Sequence, residues 1–483
     1  MYLGLDLGTS GLKALLIDAE QRVVASVTAR LHLSRPRPGW CEQSPADWIR
    51  ATQTALDELK QRHSAELAAV RGIGLSGQMH GATLLDAAGD VLRPCMLWND
   101  TRSHRQASRL DADPRFRQVS GNIVFPGFTA PKLLWVRENE SILFDRIARV
   151  LLPKDYLRHW LTGEMVSDLS DAAGTGWLDT GARRWSDELL AASGMRREQM
   201  PRLVEGTDVS ANLRKSLAER WGMASSVVVA GGAGDNAASA VGTGTVASGS
   251  AFVSLGTSGV LFAATDRFRP NPASAVHAFC HALPGTWHQM GVILSAASAL
   301  DWYAALVGAR VDELTAELGD ELVAPGGVTF LPYLSGERTP HNDAAIRGVF
   351  AGLAHEHDRL VMTRAVLEGV AFALRDNLEA LRAAGTELDS VVAVGGGSRS
   401  RYWLRVIASA LNLAVQVPAE GDYGAAYGAA RLGMIAAENT DPLAVCKPPA
   451  IAETIEPAVA QSDAFEQAYG RYRALYPALS SLT

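Results

Sequence analysis

A short polar loop occurs twice in this chain, the second copy about half the chain length after the first. Asp6, Leu7, Gly8, Thr9, Ser10 and Gly11 return as Ser254, Leu255, Gly256, Thr257, Ser258 and Gly259. A repeat at that spacing is too long for a solenoid and points to two related halves. Apolar residues flank each copy (Tyr2, Leu3 and Leu5, then Leu12, Ala14 and Leu15; Ala251, Phe252 and Val253, then Val260, Leu261 and Phe262). They read as paired strands joined by a glycine-rich turn. Glycine lets backbone N–H groups converge on an anion, and Thr and Ser hydroxyls add donors. Two such turns facing each other would clamp a polyphosphate from both sides. Only the first copy carries an acid, Asp6, where the second has Ser254. One half is therefore expected to manage a metal and the other mainly to hold nucleotide.

A second echo supports the duplication. The apolar run at 227–230 ending in Gly231 and Gly232 resembles the run at 391–394 ending in Gly395, Gly396 and Gly397. The Gly/Ala-dense segments 234–242 and 421–428 also match, and both read as helices whose small residues would let them cross closely. Helix and strand signals alternate throughout, which predicts an α/β architecture. Ser44 and Pro45 read as a helix start, with Trp48, Ile49, Thr52, Ala55, Leu56 and Leu59 on one face. A buried strand is expected over 69–76, a long amphipathic helix over 360–381, and a closing helix with Phe465, Tyr469, Tyr472 and Tyr476 as packing residues. No Pro/Gly/Ser linker separates the halves; the boundary is placed near 241–246, giving domains 1–244 and 245–483.

Lys and Arg total 45 against 52 Asp and Glu, a net charge of −7. That balance offers no basic field for nucleic acid, so phosphates would have to be held by local backbone donors and a metal. Four scattered cysteines show no metal-like spacing and read as reduced thiols. The chain opens directly on a strand, and no apolar run approaches the roughly 18 residues of a membrane helix. The expectation is a soluble, cytoplasmic protein with no membrane or nucleic-acid partner.

Several residues stand where chemistry would be done. Asp6 ends a strand before Gly8, placed to hold Mg²⁺ against phosphates, or simply to cap the turn. Lys13 could neutralise phosphate as a point charge, or face solvent. Asp235 leaves an apolar strand at a helix start, where it is either a plain cap or a general base that takes a proton from an attacking hydroxyl. Gln78, Met79 and His80 lie at another strand end, where open α/β sheets bind ligands. Trp98, Asn99, Asp100 and Arg102 offer polar groups suited to polyol hydroxyls, and equally a salt-bridged turn. Gly395, Gly396, Gly397 and Ser398 allow close approach of a flat ring or ribose.

Together these motifs resemble, in order and over nearly the whole chain, the FGGY carbohydrate kinases of the actin-like ATPase superfamily. Residues 6–13 resemble the first phosphate motif, 254–259 the second, and 395–398 the adenosine motif. Gly127, Phe128, Thr129, Ala130, Pro131, Lys132, Leu133, Leu134 and Trp135 fit the first family signature. Gly348, Val349, Phe350, Ala351, Gly352 and Leu353, followed by Ala365, Val366, Leu367 and Glu368, fit most of the second. The resemblance implies an α/β fold of two actin-like, ribonuclease H-like ATPase domains with an interdomain cleft. The first would bind sugar and carry the base; the second would bind nucleotide.

It further implies that Gly8, Thr9, Ser10, Lys13, Gly256, Thr257, Ser258, Gly396, Gly397 and Ser398 hold ATP, with Asp6 on Mg²⁺. Met79, His80, Asp235 and Asn236 would contact the sugar, joined by Trp98 and Asn99, and Asp235 and Asp6 would be the catalytic pair. Segments 77–86, 126–135, 151–158, 170–175 and 330–341 are most similar to the members that phosphorylate D-xylulose. Glycerol is disfavoured, because glycerol-specific relatives carry an Arg-Glu pair near Met79 and His80. Ribulose, gluconate and fuculose stay open as substrates, and so does an actin-like ATPase switch with no small-molecule substrate. A homodimer is expected from the resemblance alone.

Overall fold

The computed structural model describes residues 1–419 and 421–481. Two seven-stranded sheets carry the chain, one in each half. In the first, Val23–Arg30, Gly11–Ile17 and Tyr2–Leu7 run antiparallel, then Gly72–Gly77 and Val228–Ala230 add in parallel, and Val209–Asn212 closes the edge antiparallel. In the second, Trp287–Ile293, Gly259–Thr265 and Ala251–Leu255 run antiparallel, Ser390–Val394 and Ala414–Pro418 add in parallel, and Ile451–Ile455 closes antiparallel. The two sheets share one strand logic, so the repeated loop is the hairpin turn of a duplicated unit. The second sheet gains His277–Cys280 at its edge.

Period-3.6 apolar faces fill the cores as expected. Trp48, Thr52, Ala55, Leu56 and Leu59 of helix Pro45–Arg62 are buried, with Ile49 at the margin. Ser44 precedes that helix, but its side chain accepts no capping bond; the turn instead closes through the Ser44 carbonyl, which accepts from the Asp47 N–H at 2.9 Å. The expected strand over 69–76 forms as Gly72–Gly77. Helix Arg359–Ala383 buries Leu367, Val370, Leu374, Leu378 and Leu381, and helix Ser462–Ser480 buries Phe465, Tyr469 and Tyr472 on it. All four cysteines are free and buried. Among the described residues, no helix is long and apolar enough to cross a membrane.

The halves are joined where side chains are smallest. Helix Ala425–Glu438 comes from the second half yet lies on the first sheet. A Cβ on Gly74 would sit 1.7 Å from the Ala429 carbonyl oxygen, and one on Gly4 1.9 Å from that of Ala426. Helix Asp235–Thr243 crosses it equally closely, since a Cβ on Gly428 would lie 1.8 Å from the Ala238 oxygen. Buried Arg431 donates to the carbonyls of Val241 (2.8 Å) and Gly242 (3.1 Å), placing a cation at the negative end of that helix.

Candidate active site

Three strands of the first sheet end together. Asp6 pairs with Ser76 across Tyr2–Leu7 and Gly72–Gly77, and Ser76 pairs with Ala233 of Ala233–Gly234. Asp235 follows immediately as the first residue of its helix, with Gly234 in the cap position. This is the carboxyl end of parallel strands, where α/β sheets present ligand sites. Asp6 Oδ1 is buried without a hydrogen-bond partner, and the Ser76 side chain beside that carboxylate favours its charged form. Such an orphaned carboxylate oxygen fits a site built to face a hydrated cation.

The two carboxylates act on each other. Burial, with the Asp6 charge adding to it, pushes the Asp235 carboxyl up to about 6. Asn236 opposes this by donating its backbone N–H (2.8 Å) and its Nδ2 (3.0 Å) to Asp235 Oδ1. Burial also raises Asp6, against the Lys13 charge that faces it across the hairpin. An acid poised near neutrality at a strand end is what a general base requires.

Met79 meets the residue before Asp235: a Cβ on Gly234 would lie 2.9 Å from Met79 Cγ and Sδ. His80 holds a left-handed backbone, φ 71°. Its carbonyl accepts from Lys132 Nζ (2.9 Å) and Thr129 Oγ1 (3.1 Å), which fixes that conformation. The ring stacks on Phe128 at 4.8 Å, and its Nδ1 lies 2.6 Å from the Gly174 carbonyl oxygen. That oxygen can only accept, so Nδ1 carries the proton. Burial drives the imidazole down to about 3, so the ring is neutral and Nε2 is left as an acceptor.

The first polar loop is wired to this pocket. Thr9 Oγ1 donates to Gln78 Oε1 (2.8 Å) and accepts from Trp98 Nε1 (3.0 Å), while Gln43 Nε2 donates to the Thr9 carbonyl (2.7 Å). Trp98 is exposed, and Asn99 Oδ1 is buried without a partner. The neighbouring Asp100 and Arg102 are not available to a ligand. Arg102 Nη2 pairs with Asp100 Oδ2 at 2.6 Å and with Glu42 Oε1 at 2.7 Å, both partners being buried. The cluster read as a polyol set therefore divides into two open residues and a salt-bridged turn.

In the hairpin loops, the Gly8 N–H closes its own turn onto the Gly11 carbonyl (3.0 Å), and Gly256 N–H onto that of Ser258 (3.1 Å). The glycines thus shape the turns, and the hydroxyls of Ser10, Thr257 and Ser258 are the side-chain donors left to face an anion, that of Thr9 being given to Gln78. Lys13 is ion-paired with Asp422, on the segment that crosses between the halves. Between the halves lies a cavity of about 940 Å³, lined among others by Asn236, Ser239, Ser254, Gly395 and Ser398. A second, of about 580 Å³, lies against Gly396, Gly397 and Trp403. Gly395 has φ 91°, and a Cβ on Gly397 would strike Leu255 Cβ (2.8 Å) and the Trp403 ring (2.9 Å). Gly396 meets nothing within 4 Å and opens to the cavity. Ser398 Oγ turns back to the Gly395 carbonyl (2.6 Å).

The FGGY carbohydrate kinase N-terminal domain matches residues 1–242, and the C-terminal domain of that family matches residues 251–437. This chain belongs to the FGGY family of carbohydrate kinases. The xylulose kinase of Escherichia coli (strain K12) is 52% identical over 441 residues, covering 90% of each chain. A crystal structure described as a xyloylose kinase from Brucella ovis covers 100% of both chains at 66% identity, with a TM-score of 0.99. The xylulose kinase of Rhodospirillum rubrum superimposes with a TM-score of 0.93 at 30% identity, covering 100% of this chain and 99% of its own.

Within this FGGY kinase, sequence reading passed over the residues that close the pocket from the second half. His277 and Phe279, on the added edge strand, pack against Phe128 at 6.0 and 6.1 Å, and Phe279 lies 6.3 Å from the His80 ring. Arg338 lies over Phe125 (4.8 Å) and 3.4 Å from His277 Nε2. Nothing local to His277 or Phe279 marks them; only the packing of one half on the other does.

Proposed function

We propose that this FGGY kinase transfers the γ-phosphoryl group of ATP to the terminal hydroxyl of D-xylulose, giving D-xylulose 5-phosphate and ADP. The observation that carries the reading is the carboxyl pair at the strand ends. Asp235, pushed up to about 6 beside Asp6, stands one residue from a Gly234 that packs on Met79 and the His80 loop. The ketopentose is favoured by the relatives that cover nine-tenths or more of this chain and bear a xylulose kinase name.

In this reading residues 1–244 hold the sugar and residues 245–483 most of the nucleotide. His80 Nε2 accepts from a sugar hydroxyl, Asn99 Oδ1 and Trp98 meet others, and Asn236 keeps Asp235 aimed. Asp235 removes the proton from the terminal hydroxyl; that oxygen bonds to the γ-phosphorus as the bond to the β,γ-bridging oxygen breaks, and ADP leaves with the electron pair. Residues 8–10 and 256–258 cradle the phosphates, and the glycines at 396 and 397 with Ser398 face adenosine. A bound Mg²⁺ supplies charge neutralisation on the β- and γ-phosphates, and Asp6, with its unpartnered oxygen, would hold it directly or through water. Lys13 reaches phosphate on releasing Asp422. The polar chain from Thr9 through Gln78 to the His80 loop couples phosphate seating to sugar seating.

The test is ADP release with Mg·ATP against D-xylulose, D- and L-ribulose, gluconate, L-fuculose and glycerol, with the phosphosugar identified by mass. D-xylulose should give the highest kcat/KM. Preference for another polyol overturns the substrate assignment, and sugar-independent ATP turnover without a phosphosugar overturns the kinase reading.

A further inference from the structure

A cluster of fully buried charges lies behind the pocket. Lys154, Asp155, Arg158, Asp168 and Asp171 all have fully buried side chains. The three carboxylates stand close enough together to resemble a metal cluster. An ammonium fills that position instead: Lys154 Nζ pairs with Asp155, with Asp168 Oδ1 (2.8 Å) and with Asp171 Oδ2 (3.3 Å). Burying so much charge costs several kcal/mol per ion unless the geometry repays it, so such a cluster contributes little net stability and is better understood through what it fixes in place.

What it fixes is the approach to Asp235 and His80. Arg158 Nη1 bonds Asp155 Oδ1 (3.1 Å) and the Val166 carbonyl (2.6 Å), and its Nη2 bonds the Gly231 carbonyl. Asp168 Oδ2 caps helix Leu169–Ala172, accepting from the N–H groups of Ser170 (2.9 Å) and Asp171 (3.1 Å) and from Ser170 Oγ (2.5 Å). Ser170 Oγ in turn accepts the Gly234 N–H at 3.1 Å. Four residues after Ser170, the Gly174 carbonyl holds His80 Nδ1. One short segment therefore grips the residue preceding Asp235 and the ring of His80 from the same side.

We infer that Ser170, braced by Asp168 and Lys154, is a positioning residue for phosphoryl transfer, its hydroxyl aiming Asp235 through the Gly234 amide while Gly174 sets His80. The inference rests on Asp235 being the base. Ser170 touches neither substrate; it acts by registering one pocket wall against the other. A misplacement of about 1 Å at a reacting group costs up to about a hundredfold in rate. Loss of the hydroxyl should thus fall on kcat and leave binding nearly untouched.

The experiment is full-length Ser170→Ala, read as kcat, KM for Mg·ATP, equilibrium affinity for D-xylulose, and hydrogen exchange of the Gly234 amide. Expected are a kcat lower by about tenfold to a hundredfold, KM and sugar affinity within about twofold, and faster exchange at Gly234 alone. Wild-type kcat with the Gly234 amide freed overturns the inference. So does a parallel loss of kcat, sugar affinity and ATP affinity, which would mean general loosening. If the alanine variant does not fold, Ser170→Cys keeps the volume, replaces the hydroxyl with a weak partner, and is judged by the same criteria. Asp235→Ala separates the two readings. If it keeps turnover, the base assignment falls; if it is inactive while Ser170→Ala behaves as wild type, only the positioning role falls.

Discussion

Replacing Asp235 by Asn should destroy turnover and, at the same time, stabilise the ligand-free protein. The carboxyl rises from 3.8 to about 6 on folding, because it is desolvated and faces Asp6. At about 1.36 kcal/mol per pK unit, keeping it ionised costs the fold about 3 kcal/mol. Asp235 stays partly open to solvent, so the recoverable part is about 1 to 3 kcal/mol. The sign follows from linkage. The folded state holds this proton more tightly than the unfolded chain, so the penalty is absent below pH 3.8 and complete above about pH 6. An amide carries no charge at any pH, and its oxygen can still accept both Asn236 donors. Asp235→Asn should therefore melt higher than wild type at pH 8, and the gap should shrink to about a third by pH 4.5. With sugar and Mg·ATP, kcat should fall by about 10² to 10⁴, the usual contribution of a general base. The assay is thermal melting of ligand-free protein at both pH values, beside turnover at pH 8. A variant less stable than wild type at pH 8, or a stability gap independent of pH, would refute the electrostatic argument even if activity were lost.

The base must be ionised to act, so kcat/KM for the sugar should decline as pH falls through about 6, while His80, titrating near 3, adds no step there; a pH–rate profile checks this. His80→Asn keeps a residue that tolerates φ 71° but withdraws the ring acceptor, and should raise the KM for D-xylulose by about tenfold or more with the KM for ATP unchanged. Gly74→Ala sets a Cβ 1.7 Å from the Ala429 oxygen; the helix from the second half must lift off the first sheet, so a loss of about 3 kcal/mol or more is expected in urea unfolding. A Gly396→Ala control, with nothing within 4 Å, should leave folding unchanged.

Local signals sufficed for much of this molecule. The repeated polar loop gave the duplication, because a Gly-rich turn between two apolar runs has few other solutions than a hairpin. The strand-end placement of Asp6, Gln78 and Asp235 was legible for the same reason: strand period and glycine punctuation locate strand ends without tertiary information. The helices at 359–383 and 462–480 were legible because their buried faces repeat over several turns.

Other features depend on which surfaces meet. That Asp100 and Arg102 belong to a buried salt bridge, while Trp98 and Asn99 just before them stay open, follows from where Glu42 arrives, not from the local sequence. Lys13 points to a phosphate site by spacing, yet in this structure its partner is Asp422, 409 residues away. The raised carboxyl of Asp235 exists because folding buries it and, to a smaller extent, brings the Asp6 charge beside it. Ser170 and Gly174 gain their meaning from bonds to Gly234 and His80, 64 and 94 residues distant. The sequence by itself determined the repeat, the strand ends and the residue types on offer, since these are properties of neighbours along the chain. Charge state, alignment and access to ligand are set by neighbours in space, and only the tertiary structure decided them.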